Sequence, residues 1–176
     1  MNRQDRIAIV GFMACGKTEV ARVVAERLKV AMVDLDEVIT SNHGRSPAEL
    51  IREEGESSFR QIETVNLQRV LDRDSTSVIA LGGGAWIQPA NRELLAAKGA
   101  KVVWLDTPFE LCWKRIEGSS EERPLGTTRK HASELYKQRY PIYQLASIKI
   151  SVTATDDPRK IAARVLEELG ADRKKG

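Results

Sequence analysis

Cysteine is scarce in this chain. Only Cys15 and Cys112 occur, far apart, with no CxxC and no Cys/His ligand spacing. That excludes a disulfide scaffold and a zinc finger as the organising device. Glycine and proline are few, at 12 and 6 of 176 residues, so neither a collagenous nor a low-complexity reading applies. Charge of one sign is missing too. Twenty-eight Lys and Arg against 25 Asp and Glu leave +3, and only Arg173 to Lys175 forms a dense basic run, read as a solvated terminus. Nucleic-acid binders concentrate their basic residues, so no nucleic-acid partner is expected. No apolar run is long enough to cross a bilayer, and the polar Met1 to Arg6 has no signal-peptide core. No membrane partner and a cytoplasmic location are expected. Repeats and linkers are absent, so residues 1–176 are read as one domain.

What is present is an ordinary globular composition, 41% hydrophobic and 30% charged. Short apolar runs alternate with helical patterns, which argues for βα units around a parallel sheet. The runs are Ile7 to Val10, Ala31 to Asp34, Ser77 to Leu81, Lys101 to Leu105 and Ile148 to Thr153. They read as strands buried on both faces. Val20, Val23, Val24 and Leu28 recur at helical spacing after the first run. Ser46-Pro47-Ala48-Glu49 is a capping box, with Gly55 as the stop, and Thr107-Pro108-Phe109-Glu110 repeats the device. Asp157-Pro158 opens a last helix, with Gly170 beyond it. The fold class is α/β, a three-layer α/β/α sandwich.

Gly11-Phe12-Met13-Ala14-Cys15-Gly16-Lys17-Thr18 matches G-x-x-x-x-G-K-[ST], between an apolar strand and an amphipathic helix. Backbone N–H groups of such a P-loop cradle phosphates, and the following helix adds positive charge. Lys17 reaches the β- and γ-phosphates, and the Thr18 hydroxyl turns to Mg²⁺. Gly11, Ala14, Cys15, Gly16, Lys17, Thr18 and Glu19 are the nucleotide-binding residues expected here. A GTPase would also need a guanine-reading N-K-x-D segment, which the chain lacks. The loop alone does not name the acceptor.

Further segments follow in order. Val33-Asp34-Leu35-Asp36 carries a D-x-D, and two carboxylates two residues apart on a strand end point the same way. Gly55-Glu56-Ser57-Ser58-Phe59-Arg60-Gln61-Ile62-Glu63 places Arg60 in a first helical turn, where a cation is unfavourable. A surface ion pair with a neighbouring Glu is the plain alternative. Leu81-Gly82-Gly83-Gly84 bares backbone at a strand end. Arg123-Pro124-Leu125 lies in a polar stretch, and Arg139-Tyr140-Pro141-Ile142-Tyr143 follows it.

Together these segments resemble the shikimate kinases, from the first strand almost to the C-terminus. The resemblance implies a nucleoside-monophosphate-kinase-like fold with five parallel strands ordered 2-3-1-4-5. It also implies transfer of the ATP γ-phosphate to the 3-hydroxyl of shikimate, on the route to chorismate and aromatic amino acids. ATP is the co-substrate and Mg²⁺ the cofactor. By resemblance Thr18 and Asp34 serve the metal, while Asp36, Arg60, Gly82, Gly83, Gly84 and Arg139 bind shikimate. Lys17, Asp36 and Arg123 are catalytic, with Arg123 on a lid at about 117–130 and the acceptor segment at about 36–63. Arg115 matches a position that stacks on adenine. A monomer is expected. Gluconate kinase, and a regulatory module that kept the fold, are the rival readings.

Departures are also visible. Ala14 replaces a loop glycine of many relatives, and alanine is expected there only if the backbone does not need positive φ. The stretch between Arg123 and Arg139 is shorter than the resemblance implies. Thr155-Asp156-Asp157 stands where an Arg often serves adenine, so no adenine contact is assigned there. Cys15 is read as buried filler and Asp106 as the start of a turn. His43 and His131 are read as surface residues, and Trp86, Trp104 and Trp113 as packing residues.

Overall fold

A computed structural model describes residues 6–73, 77–119 and 128–173. Five strands, β1 (Arg6–Val10), β2 (Ala31–Asp34), β3 (Ser77–Ala80), β4 (Lys101–Asp106) and β5 (Ile148–Ser151), form one parallel sheet in the order β2-β3-β1-β4-β5. The predicted order therefore holds. β1, at the centre, pairs Ile9 with Ala80 of β3 and with Val103 of β4. The expected ends of β3 and β5 overshoot by one and two residues, and that of β4 falls one short, although hydrogen bonds from Leu81 N to Ile9 O and from Val152 N to Asp106 O continue the ladder.

Eight helices pack around the sheet among the described residues: α1 (Lys17–Leu28), α2 (Leu35–His43), α3 (Pro47–Glu54), α4 (Glu56–Leu71), α5 (Pro89–Ala97), α6 (Phe109–Glu117), α7 (Arg129–Tyr143) and α8 (Pro158–Arg173). A 3₁₀ turn at Ala85–Ile87 precedes α5. β1 and β3 are buried along their whole length. The expectation of two buried faces fails at the edges. β2 is only half-buried, and β5 alternates between buried and exposed residues, because one side of an edge strand has no neighbour to cover it. Ile9, Val20, Val24, Ile79, Val103 and Val165 belong to the single core cluster, together with the buried Cys15 and Cys112. None of the described helices is long and apolar enough to cross a membrane.

Local signals succeed where the partners are adjacent in sequence. Ser46 Oγ accepts from Glu49 N at 3.2 Å and Glu49 accepts from Ser46 N at 2.7 Å, the reciprocal capping box. Asp157 accepts from the backbone N–H groups of Arg159 and Lys160 and opens α8. Gly55 both ends α3 and begins α4, at φ 85°. Two readings are corrected. Gly170 lies inside α8, which runs to Arg173. Thr107 caps nothing: α6 is preceded by Pro108 with no side-chain cap, and Thr107 is buried with Oγ1 lacking a hydrogen-bond partner. Asp106 closes β4 and pairs with Lys149 at 2.9 Å.

Candidate active site

The carboxyl ends of β1, β2 and β3 open on a cavity of about 520 Å³. One wall is the loop from Gly11 to Thr18. Gly11 and Gly16 adopt φ of 149° and 95°, and a Cβ on Gly11 would stand 2.8 Å from Cys15 Sγ. Cys15 is 1% exposed, in keeping with the filler reading. Ala14 also adopts positive φ, at 58°, so the condition set for an alanine here is not met. The loop holds an L-residue in the left-handed region, which costs about 1–2 kcal/mol. Its carbonyl accepts from Arg115 Nη1 at 3.1 Å, which brings α6 onto the loop. Lys17 Nζ donates to Phe12 O at 2.9 Å. Glu19 lines the cavity and pairs with Arg22 at 2.8 Å on the surface.

Asp34 and Asp36 reach the site by a route the strand-periodicity argument did not foresee. β2 ends at Asp34, and Asp36 already belongs to the first turn of α2. Asp34 is the N-cap, its Oδ1 accepting from Asp36 N at 3.0 Å. Its other oxygen accepts from Thr18 Oγ1 at 2.8 Å. One carboxylate thus joins the phosphate loop to the helix that carries Asp36. Both aspartates line the cavity.

The glycines after β3 make room for side chains. A Cβ on Gly82 would lie 2.8 Å from Asp36 Oδ1 and 3.3 Å from Glu63 Oε1. On Gly84 it would lie 2.2 Å from Arg60 Nη2, and on Gly83 3.7 Å from Arg139 Nη1. Arg60 and Arg139 do not line the main cavity but stand against its glycine wall. Arg60 is the fifth residue of α4 rather than part of its first turn, and Glu56 occupies the start instead, so the expected conflict with the helix dipole is relieved. Arg60 bonds Glu56 at 3.0 Å and Glu63 at 2.8 Å, so the plain ion-pair reading holds beside the functional one. Arg139 is buried and donates to Gly83 O at 3.2 Å. Tyr143 donates to the same carbonyl, and Trp86 donates to Ile142 O, which fastens α7 to the glycine turn.

Glu63 appeared in the sequence only as the last letter of a motif. It is 1% exposed, and its Oε1 has no hydrogen-bond partner among the described residues. Burial pushes its carboxyl up to about 7; Arg60 and Arg139 oppose the rise and Asp36 adds to it. The far end of the cavity was missed as well. Ser119, Asp156, Pro158 and Ile161 line it together with Arg115. Asp156 Oδ2 accepts from Thr153 N at 2.8 Å and pairs with Arg164 at 2.7 Å, and the Thr153 bonds hold its carboxyl below the usual range. The Arg123 to Leu125 motif lies outside the described residues.

Lys17, Arg115 and the carboxylates of Glu19, Asp34, Asp36 and Asp156 therefore line one cleft, with Arg60 and Arg139 behind its glycine wall. Such a cleft fits two substrates in line. The family model for shikimate kinase matches residues 13–170. The shikimate kinase of Persephonella marina is 36% identical over 163 residues, covering 93% of this chain and 98% of that protein. That of Synechococcus elongatus is 38% identical over 164 residues, covering 92% and 84%. Among solved structures, shikimate kinase from Acinetobacter baumannii in complex with shikimate superposes with a TM-score of 0.88 at 34% identity, covering 95% of this chain and 93% of that one.

Proposed function

The chain belongs to the shikimate kinase family, and from that membership we propose how its own residues divide the transfer of the ATP γ-phosphate to shikimate. The observation that carries the division is the single Asp34 side chain. It bonds Thr18 of the phosphate loop and also caps the helix bearing Asp36, so nucleotide and acceptor are held in one frame. The phosphates lie along Gly11 to Thr18, and the base extends toward Arg115 and the far end. Shikimate lies between Asp36 and the glycine wall, its carboxylate held by Arg60 and Arg139. Planar guanidinium groups suit that partner.

The donor set supports a Mg²⁺ cofactor. A hydroxyl and a carboxylate, Thr18 and Asp34, are hard oxygen ligands, and Mg²⁺ characteristically takes one or two such groups plus substrate phosphates. Among the described residues no cluster of three or more His, Cys, Asp or Glu could hold a metal unaided, which suits an ion carried in with the nucleotide. When bound, it supplies positive charge across the transferring phosphate.

In the reaction the 3-hydroxyl oxygen of shikimate forms a bond to the γ-phosphorus as the bond to the ADP oxygen breaks. The hydroxyl proton passes to Asp36 or to solvent, giving ADP and shikimate 3-phosphate. Lys17 exchanges its bond to Phe12 O for phosphate oxygens and spreads the developing charge. Asp36 orients the hydroxyl; in a loose transition state that positioning outweighs basicity. The family resemblance assigns Arg123, outside the described residues, to the same charge. A single-domain, monomeric catalyst is the reading that goes with this assignment. The two buried, unpaired cysteines suit a reducing cytoplasm.

The test is ADP release with Mg·ATP, alone and with shikimate or gluconate. Saturable stimulation by shikimate only is expected. Arg60→Ala and Arg139→Ala are expected to raise the KM for shikimate at least tenfold, roughly the cost of one charge-assisted hydrogen bond. The KM for ATP should barely move. Equal effects on both substrates would remove the carboxylate clamp.

A further inference from the structure

Glu63 is built as though it should not be permanently charged. Its carboxyl is 1% exposed, and one oxygen accepts from Arg60 at 2.8 Å. The other has no donor among the described residues, and a buried anionic oxygen without a donor is costly. The charged groups around it come from three helices. Arg60 is on its own helix α4, with Glu56 on Arg60's other side at 3.0 Å. Asp36 comes from α2 and Arg139 from α7. The orphan oxygen and Asp36 Oδ1 lie 3.3 and 2.8 Å from the point where a Gly82 Cβ would be, so the two acids are close neighbours.

The charge balance of this cluster depends on one proton. With Glu63 ionised, Arg60 and Arg139 are outnumbered by Glu63, Asp36 and the half-exposed Glu56, and an incoming carboxylate meets one net negative charge. With Glu63 protonated, the two arginines balance Asp36 and Glu56, and the site no longer repels the anion. The direction in which burial pushes this carboxyl agrees with a proton held near neutrality.

We propose that Glu63 is a positioning residue whose proton sets the charge of the acceptor site, so that binding of shikimate's carboxylate is coupled to protonation of Glu63. This rests on the reading that Arg60 and Arg139 clamp that carboxylate. An anion placed beside the pair disfavours ionised Glu63, so binding takes up a proton wherever the free enzyme holds Glu63 ionised. Shikimate affinity is therefore greatest below the titration of Glu63 and weakens above it.

The experiment measures the KM for shikimate at saturating Mg·ATP from pH 6 to 8.5, in the wild type and Glu63→Gln. Calorimetry of shikimate binding in two buffers of different ionisation enthalpy counts the protons. In the wild type the KM for shikimate should rise about tenfold or more over this range, as one ionisation above neutrality requires. The KM for ATP serves as the control for general pH effects. Proton uptake on binding should appear above pH 7. In Glu63→Gln, whose amide keeps the shape without titrating, the slope and the proton uptake should both vanish. A wild-type KM that stays flat, or a slope that persists in Glu63→Gln, overturns the proposal. Should the variant not fold, the wild-type proton count alone decides: no uptake above pH 7 refutes it. If Arg60→Ala and Arg139→Ala leave the shikimate KM unchanged, the clamp itself has failed. Weakened binding in those variants with no proton coupling removes only the role of Glu63.

Discussion

Replacing Gly84 by alanine separates the room this glycine leaves from the stability of the fold. A Cβ there would stand 2.2 Å from Arg60 Nη2, 2.6 Å from its Cζ and 2.7 Å from Nη1. Carbon and nitrogen meet without strain at about 3.5 Å, so the guanidinium must retreat by roughly 1 Å. Backbone conformation is no obstacle, since Gly84 has a φ of −104°. The retreat first strains the 2.8 Å bond from Arg60 to Glu63. Weakening a hydrogen bond to a buried carboxylate costs about 1–3 kcal/mol, and in a chain of this size each kcal/mol lowers Tm by roughly 2–4 °C. The larger effect falls on the acceptor. A misplacement of about 1 Å costs on the order of 10² in rate, or about 2.7 kcal/mol.

Gly84→Ala is therefore expected to lower kcat/KM for shikimate about 100-fold while the KM for ATP stays within about twofold. ADP release with shikimate titrated at saturating Mg·ATP reads both, and circular dichroism checks the fold. Gly83→Ala is the comparison, because its Cβ comes no closer than 3.3 Å to Met13 N and 3.7 Å to Arg139. A milder loss is expected there. A folded Gly84→Ala enzyme with wild-type kcat/KM for shikimate, or one that loses ATP and shikimate affinity equally, would refute the reasoning.

Lys17→Ala and Asp36→Asn should each lower kcat by a factor on the order of 10² or more, from lost charge stabilisation and lost positioning respectively; near-wild-type turnover would remove those roles. Ala14→Gly relieves a left-handed residue worth about 1–2 kcal/mol but adds about 0.5–1 kcal/mol of unfolded-state entropy, so a net gain of up to about 1.5 kcal/mol is expected by calorimetry. A destabilised variant would show that the alanine methyl is packed to advantage. Glu63 holds its proton more tightly folded, near 7, than unfolded, near 4.5, so the folded state binds more protons between those values. Without substrates the enzyme should thus lose stability as pH rises from about 5 to 7, by up to about 3 kcal/mol. Denaturant titrations should show the slope in the wild type and its loss in Glu63→Gln; identical slopes would contradict the titration.

Legibility in the sequence followed distance along the chain. The phosphate loop and the Ser46 box were readable because every partner lies within a few residues. Thr107 shows the limit. Its sequence has the same form as the Ser46 box, but Tyr136 from α7 donates to its carbonyl at 3.1 Å and the residue is buried, so tertiary packing decided the outcome. Asp36 lines the cleft, but not by the geometry expected, since the side chain of Asp34 turns the strand into a helix one residue before the alternation could apply. Glu63 and Asp156 owe their surroundings to residues on other elements, and no spacing rule shows a carboxyl losing its water. The strand order was carried by the family resemblance, whereas the exposed faces of β2 and β5 depend on which strands became edges.

The attachment of α7 bears on how the enzyme comes into being during synthesis. Gly83 O is bonded from Arg139 and Tyr143, 56 and 60 residues further along, and Arg115 reaches Ala14 across 101. The phosphate loop has its nearest bonds from its own residues but also needs Arg115, and the glycine turn needs a segment that leaves the ribosome later still. Such distant contacts close only after most of the chain-ordering cost has been met. A chain stopped before Arg129 would therefore lack the bonds of Arg139 and Tyr143 to the glycine turn together with β5 and α8, so recovered turnover during refolding reports on these late, long-range contacts.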